Sequence, residues 1–144
     1  MQIPQHLQHY AEPTVVAIGD FEHVKLYLAH GDTIEDIETM KAPEPKEPDD
    51  EGAYPFGQHR FSSPSADRDE GVRREKFARS LAERLAELLR DGDARRIKLA
   101  MPTEACRRVQ EELPNELKDA VVKVVDEDLV YLPLVDALER IAAK

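Results

Sequence analysis

Thr14-Val-Val-Ala-Ile-Gly-Asp20 is a nearly continuous apolar run that stops at Gly-Asp. Such a run suits a strand buried on both faces, which requires a packed layer above and below the sheet. The next segment has a different rhythm. In His23-Val-Lys-Leu-Tyr-Leu-Ala-His30, Val24, Leu26 and Leu28 alternate with Lys25 and Tyr27, the period of a second strand. Gly31-Asp32 is a tight hairpin turn. Thr33 to Met40 follows as a weaker third strand, with Ile34, Glu38 and Met40 on one face and Glu35 and Ile37 on the other. Its charges suit a sheet edge, where they discourage unwanted pairing.

The period then changes to that of a helix. From about Glu70 to Arg90, Phe77, Leu81, Leu85, Leu88 and Leu89 recur at spacings of three and four, flanked by Ala78, Ala82 and Ala86. Asp67 and Asp69 fit the start of this helix and Gly92 its end. On its wet side, Glu75 and Arg79, and Arg79 and Glu83, are spaced for ion pairs. Arg95 to Met101 alternates as a fourth strand. Thr103 to about Leu113 is a helix with Thr103 as N-cap, and Asn115 to Asp119 is a short helix after Pro114. Ala120 to Val125 is a β-branched fifth strand, and Pro133 to Ala143 a final helix with Leu134, Leu138 and Ile141 inward. The order β-β-β-loop-α-β-α-β-α predicts an α/β domain: a mixed sheet of about five strands, three meandering first and helical crossovers after.

A chain of 144 residues fits a single domain over residues 1–144, large enough to bury a core without disulfides or metals. Cys106 is the only cysteine, so no intrachain disulfide forms. Met1 to Glu12 has no basic and apolar pattern of a signal peptide, and no apolar run approaches membrane-spanning length. A cytoplasmic protein with no membrane contact is expected. The net charge is −10; residues 1–70 carry 15 acidic and 5 basic side chains, while 71–144 carry 15 of each. Broad nucleic-acid binding needs a basic footprint, which this balance disfavours.

Residues 42–68 are acidic, rich in Pro and without periodicity, and predict a long mobile loop. Tyr54, Phe56 and Phe61 interrupt its polar composition, and Arg60 stands between His59 and Phe61. Aromatics beside a cation suit base stacking or a protein pocket. Together with Gly57, Gln58, Arg73 and Arg74 they form the candidate binding set.

Several ordered motifs resemble one family. Met1-Gln-Ile-Pro4 precedes the Val-Val-Ala strand ending in Gly-Asp. The long loop runs into Asp69-Glu-Gly-Val-Arg-Arg-Glu-Lys-Phe-Ala-Arg-Ser-Leu-Ala-Glu-Arg-Leu85, and the chain closes with Val125-Asp-Glu-Asp-Leu-Val-Tyr-Leu-Pro-Leu134. Over nearly its whole length the chain resembles the bacterial host-attachment proteins, a family grouped with relatives of archaeo-eukaryotic release factors. The resemblance implies a ribonuclease H-like fold of the release-factor middle-domain kind and, by analogy, association with ribosomes. Release factors of that class use a Gly-Gly-Gln loop at the peptidyl ester. Here Phe56-Gly57-Gln58 stands in the comparable loop, without the first glycine's backbone freedom. Gly19-Asp20 also departs from the family's usual Ala-Asp-Gly ending of that strand.

Residue by residue, no catalytic set emerges. Ribonuclease H-like nucleases need carboxylates converging on metal ions, and Asp20, Asp126 and Asp128 are the acids placed near strand ends. A solvated turn after the last strand is the better account of the Asp126-Glu127-Asp128 run, in which neighbours point in different directions. His6 and His9 lack a partner at ligand spacing, so no metal and no cofactor are expected. Cys106 reads as a structural thiol. Ser62-Ser63-Pro64-Ser65 reads as loop chemistry open to modification. Arg73-Arg74, Arg95-Arg96 and Arg107-Arg108 would grip phosphate or an acidic partner if they converged. Three functions remain open: a noncatalytic interaction module whose partner is a protein or ribonucleoprotein, with the ribosome implied by resemblance; an accessory protein in attachment to host cells; and a hydrolase of RNA or a peptidyl ester using Gln58 or the Asp126/Asp128 pair.

Overall fold

The structure, a computed structural model, describes residues 1–42 and 63–144. Five strands, β1 (Tyr10–Gly19), β2 (His23–Gly31), β3 (Thr33–Lys41), β4 (Arg96–Ala100) and β5 (Val121–Val125), form one sheet in the order β3-β2-β1-β4-β5. β1 pairs antiparallel with β2, and β2 with β3. β4 runs parallel to both β1 and β5. Helices α1 (Ser63–Arg90) and α2 (Thr103–Glu112) connect the parallel strands, and α3 (Leu134–Ala143) closes the chain.

β1 is central and apolar on both faces because both faces are covered. Val15 and Ala17 join Phe77, Leu81, Leu85 and Leu88 of α1 and Val109 of α2 in one core. Val16 and Ile18 join Leu138 and Ile141 of α3, with Leu7 and Tyr10, in the other. Gly31 sits at φ +65 in the β2–β3 hairpin, and Gly92 at φ +83 past the end of α1, the left-handed conformation glycine adopts without cost. There the amide of Asp93 donates to the carbonyl of Leu88. Among the described residues, no helix is long and apolar enough to cross a membrane.

Four local expectations are corrected. Helix α1 begins at Ser63, not near Glu70, so part of the expected 42–68 loop is helical and Asp67 and Asp69 lie inside the helix. Pro64 in the first turn explains this, because an amide there has no helical acceptor to lose. In β3, Ile34 and Met40 lie on opposite faces. Leu26 pairs with Glu38 but Tyr27 with Asp36, so Ile37 is an extra, bulged residue that reverses the alternation. Pro102, not Thr103, caps α2, and the Thr103 hydroxyl instead donates to Asp126 at 3.3 Å. Arg79 pairs with Glu75, but its second partner is Glu112 at 3.4 Å rather than Glu83.

Candidate functional site

In sheets with parallel strands, ligand sites gather beyond the strands' carboxyl ends. Ile18, Ala100 and Val125 lie side by side there, since Ile18 pairs with Ala100 and Ala100 with Val125. The next residues are Gly19-Asp20, Met101-Pro102-Thr103 and Asp126-Glu127-Asp128. Each of these acids already serves local structure. Asp20 Oδ1 accepts from the amides of Glu22 at 2.7 Å and His23 at 3.0 Å, closing the β1–β2 turn. Asp126 accepts from Thr103, and Asp128 from the amide of Val130 at 3.1 Å. Glu127 lies between Lys144 and Arg140, at 2.5 and 2.6 Å, and these cations, Lys144 first, hold its carboxyl below the usual range. Among the described residues, no three metal-ligating side chains cluster.

Beside these strand ends, an open groove of about 550 Å³ runs between α2 and β5, lined by Thr103, Cys106, Gln110, Lys118, Val124 and Asp126. Cys106 is buried and donates to the carbonyl of Met101 at 3.3 Å. Burial pushes its thiol up to about 11, so it is neither a ready nucleophile nor a ready metal ligand at neutral pH.

The three arginine pairs do not converge; each rests on its own carboxylate. Arg73 and Arg74, on α1, both bind Glu70, at 2.7 and 3.2 Å, and Arg74 lies 4.6 Å from the centre of the Phe21 ring. Arg95 and Arg96 share Glu12. Arg107 and Arg108 share Glu104, and these contacts, Arg107 first, lower its carboxyl pKa. Tyr54, Phe56, Gly57, Gln58, Arg60 and Phe61 lie outside the described residues, as do His59 and Ser62.

The sequence reading missed two lysines. Lys98 of β4 and Lys123 of β5 are register partners on the α3 face, and among the described residues neither pairs with a carboxylate. Lys98 lies 4.4 Å from the centre of the Tyr10 ring, and its pKa is lowered by burial first and by Lys123 second. Lys123 Nζ donates to the carbonyl of Ile141 at 3.0 Å, at the carboxyl end of α3, where a cation is favoured. Alternation would have put both lysines on one face, but only the parallel register makes them neighbours.

Residues 15–141 match the family described as "protein required for attachment to host cells". The chain belongs to that family. Among solved structures, it is similar to the crystal structure of an archaeal translation termination factor, aRF1, at 14% identity and a TM-score of 0.52. The alignment covers 91% of this chain and 38% of that one, so the fold matches well under half of the termination factor's length. No curated protein matches the chain. Family membership and fold likeness agree with the expected α/β architecture, a mixed five-stranded sheet of the ribonuclease H-like, release-factor-like kind.

Proposed function

We propose that this chain is a noncatalytic interaction module of the cytoplasm that docks on the translation machinery. The observation that carries this reading is the combination of the termination-factor fold with strand-end acids bound into turns and ion pairs. A metal-dependent hydrolase needs such acids free to converge on a reacting group. The contact residues of this reading are Arg73 and Arg74 on α1, with Tyr54, Phe56, Gly57, Gln58, Arg60 and Phe61 from the segment that precedes that helix in sequence. Aromatic and guanidinium groups stack on bases or fill protein pockets alike.

Sedimentation of tagged protein from lysate through a sucrose gradient tests the proposal. Co-migration with a ribosomal subunit that survives moderate salt, and is lost in a Tyr54→Ala, Phe56→Ala, Phe61→Ala triple variant, is the expected result. Protein confined to the light fractions in every growth state would overturn it.

A second reading follows the family description: an accessory role in attachment to host cells. Intact protein on the cell exterior, together with loss of attachment on deletion, would favour it over the first.

A further inference from the structure

We propose that Lys98 is a carbon dioxide site: its side-chain amine takes up CO2 as a carbamate, and the ammonium of Lys123 beside it pairs with that carbamate.

The two lysines are held side by side. Lys98 of β4 pairs with Val16 of β1 on one side and with Lys123 of β5 on the other. Both therefore lie on the α3 face of adjacent parallel strands, which run about 4.8 Å apart. Like charges directly opposite one another are unfavourable in a sheet. Among the described residues, neither lysine is drawn off to a carboxylate. Lys123 Nζ is held at 3.0 Å by the carbonyl of Ile141, and Lys98 Nζ lies 4.4 Å from the centre of the Tyr10 ring. The elements around them supply no anion. Arg96, two residues before Lys98 on the same face of β4, is bound to Glu12 at 3.0 Å. Tyr10 is buried, and burial raises its pKa, which keeps the phenol neutral. The buried residues of α3 are Ala137, Leu138 and Ile141, none of them charged.

These surroundings favour an uncharged amine. Burial first, and the Lys123 charge second, lower the Lys98 pKa, so more of its amine is unprotonated at neutral pH than in an exposed lysine. Only the unprotonated form reacts with CO2. The nitrogen lone pair attacks the carbon and an N–C bond forms. One C–O π bond opens onto oxygen, and the nitrogen releases a proton to water. The product is an anion, so the neighbour that repelled the ammonium now attracts the carbamate. Lys123 thus serves both halves of the reaction, lowering the proton affinity of the amine and stabilising the charge of the product. Lys98 is partly exposed, and a molecule as small as CO2 needs no wider opening.

The full chain, equilibrated with isotopically labelled CO2, is treated with triethyloxonium ion, which converts a carbamate to a stable ethyl ester, and is mapped by peptide mass spectrometry. Label on Lys98 well above that on Lys25 and Lys118, rising with CO2 pressure and losing its preference when the chain is unfolded in guanidinium chloride, is the expected result. Mapping by peptide separates it from label on the Met1 amino group. Lys123→Met should lower Lys98 labelling at least about threefold, while Lys123→Arg, which keeps the cation, should retain it. Lys98 labelled no more than Lys25 and Lys118 overturns the proposal, as does labelling indifferent to Lys123→Met. None of these readouts depends on ribosome association.

Discussion

Arg84 Nε donates to Glu38 Oε1 at 2.6 Å, tying the middle of α1 to the edge strand β3. Glu38 reaches α1 only because Ile37 is bulged. Were Ile37 paired as an ordinary strand residue instead of bulged, alternation would turn Glu38 and Met40 toward α3 and leave Arg84 with Glu87 at 3.1 Å.

The bulge and the ion pair it creates can be separated. Glu38→Gln removes a partly exposed pair and should cost under about 1 kcal/mol, with a loss that shrinks as salt is added. Deleting Ile37 removes the bulge but leaves Asp36 and Glu38 paired with Tyr27 and Leu26 as before, so the Arg84–Glu38 pair should survive and the cost, roughly 1 kcal/mol, should come from the lost packing of Ile37 and should not depend on salt. Urea unfolding of both variants at low and high salt measures the difference; a salt-dependent loss on deleting Ile37 would mean that Glu38 no longer faces α1.

Two glycines separate steric need from backbone need. A Cβ on Gly19 would lie 2.3 Å from the His23 carbonyl oxygen and 2.5 Å from Val24 Cα. Gly19→Ala must push β1 and β2 apart and should cost about 3 kcal/mol or more. A Cβ on Gly92 meets nothing within 4 Å, but φ there is +83. Gly92→Ala should cost only about 1–2 kcal/mol. Thermal unfolding should rank Gly19→Ala well below Gly92→Ala, and the reverse order would contradict the close β1–β2 approach.

Leu85 is fully buried between α1 and the sheet. Leu85→Ala should lose about 2–5 kcal/mol, the transfer term plus the cavity. Chemical denaturation should show an earlier midpoint with an unchanged slope.

The thiol of Cys106 titrates near 11 in the folded chain, above the ordinary value of 9.0, because burial disfavours the thiolate. The folded state therefore holds this proton more tightly than the unfolded one. That stabilisation is complete below about pH 9 and is lost as pH rises through about 11. Iodoacetamide should modify Cys106 very slowly at neutral pH in the native protein, and rapidly in urea. Fast native alkylation near pH 7 would contradict the burial.

Lys98 offers a test of two causes. Burial, the larger, and the Lys123 charge both lower its pKa. Lys123→Met should move the Lys98 titration upward without restoring the ordinary lysine value, as followed by NMR of its ε-methylene group. Full restoration would make the neighbouring charge, not burial, the main cause. The same variant removes the cation from the carboxyl end of α3 and should increase fraying there, read by amide exchange at Ile141 to Ala143.

Periodicity carried most of the architecture. The alternation of Val24, Leu26 and Leu28, the spacing of Phe77 to Leu89 and the unbroken run in β1 specify element type and facing locally, because burial repeats with the backbone's own period. Even the edge character of β3 was legible, from its charges. The candidate site was legible only as a set of residue types. Asp20, Asp126 and Asp128 stood near strand ends in the sequence reading, and they do in the fold. That each is bound to an adjacent amide or hydroxyl depends on turn geometry that composition does not encode.

The sequence by itself determined which segments are strands and helices, which residues enter the core, and that the domain is acidic in its first half. Only the tertiary structure decided the rest: the strand order, the bulge that turns Glu38 toward Arg84, the meeting of Lys98 with Lys123, and the open edge at β5 beside its groove. The division has one physical cause. Hydrophobic periodicity is a local property read within a few residues. Register and edge exposure arise from pairings between residues far apart in the chain, each fixed by the packing of all the others.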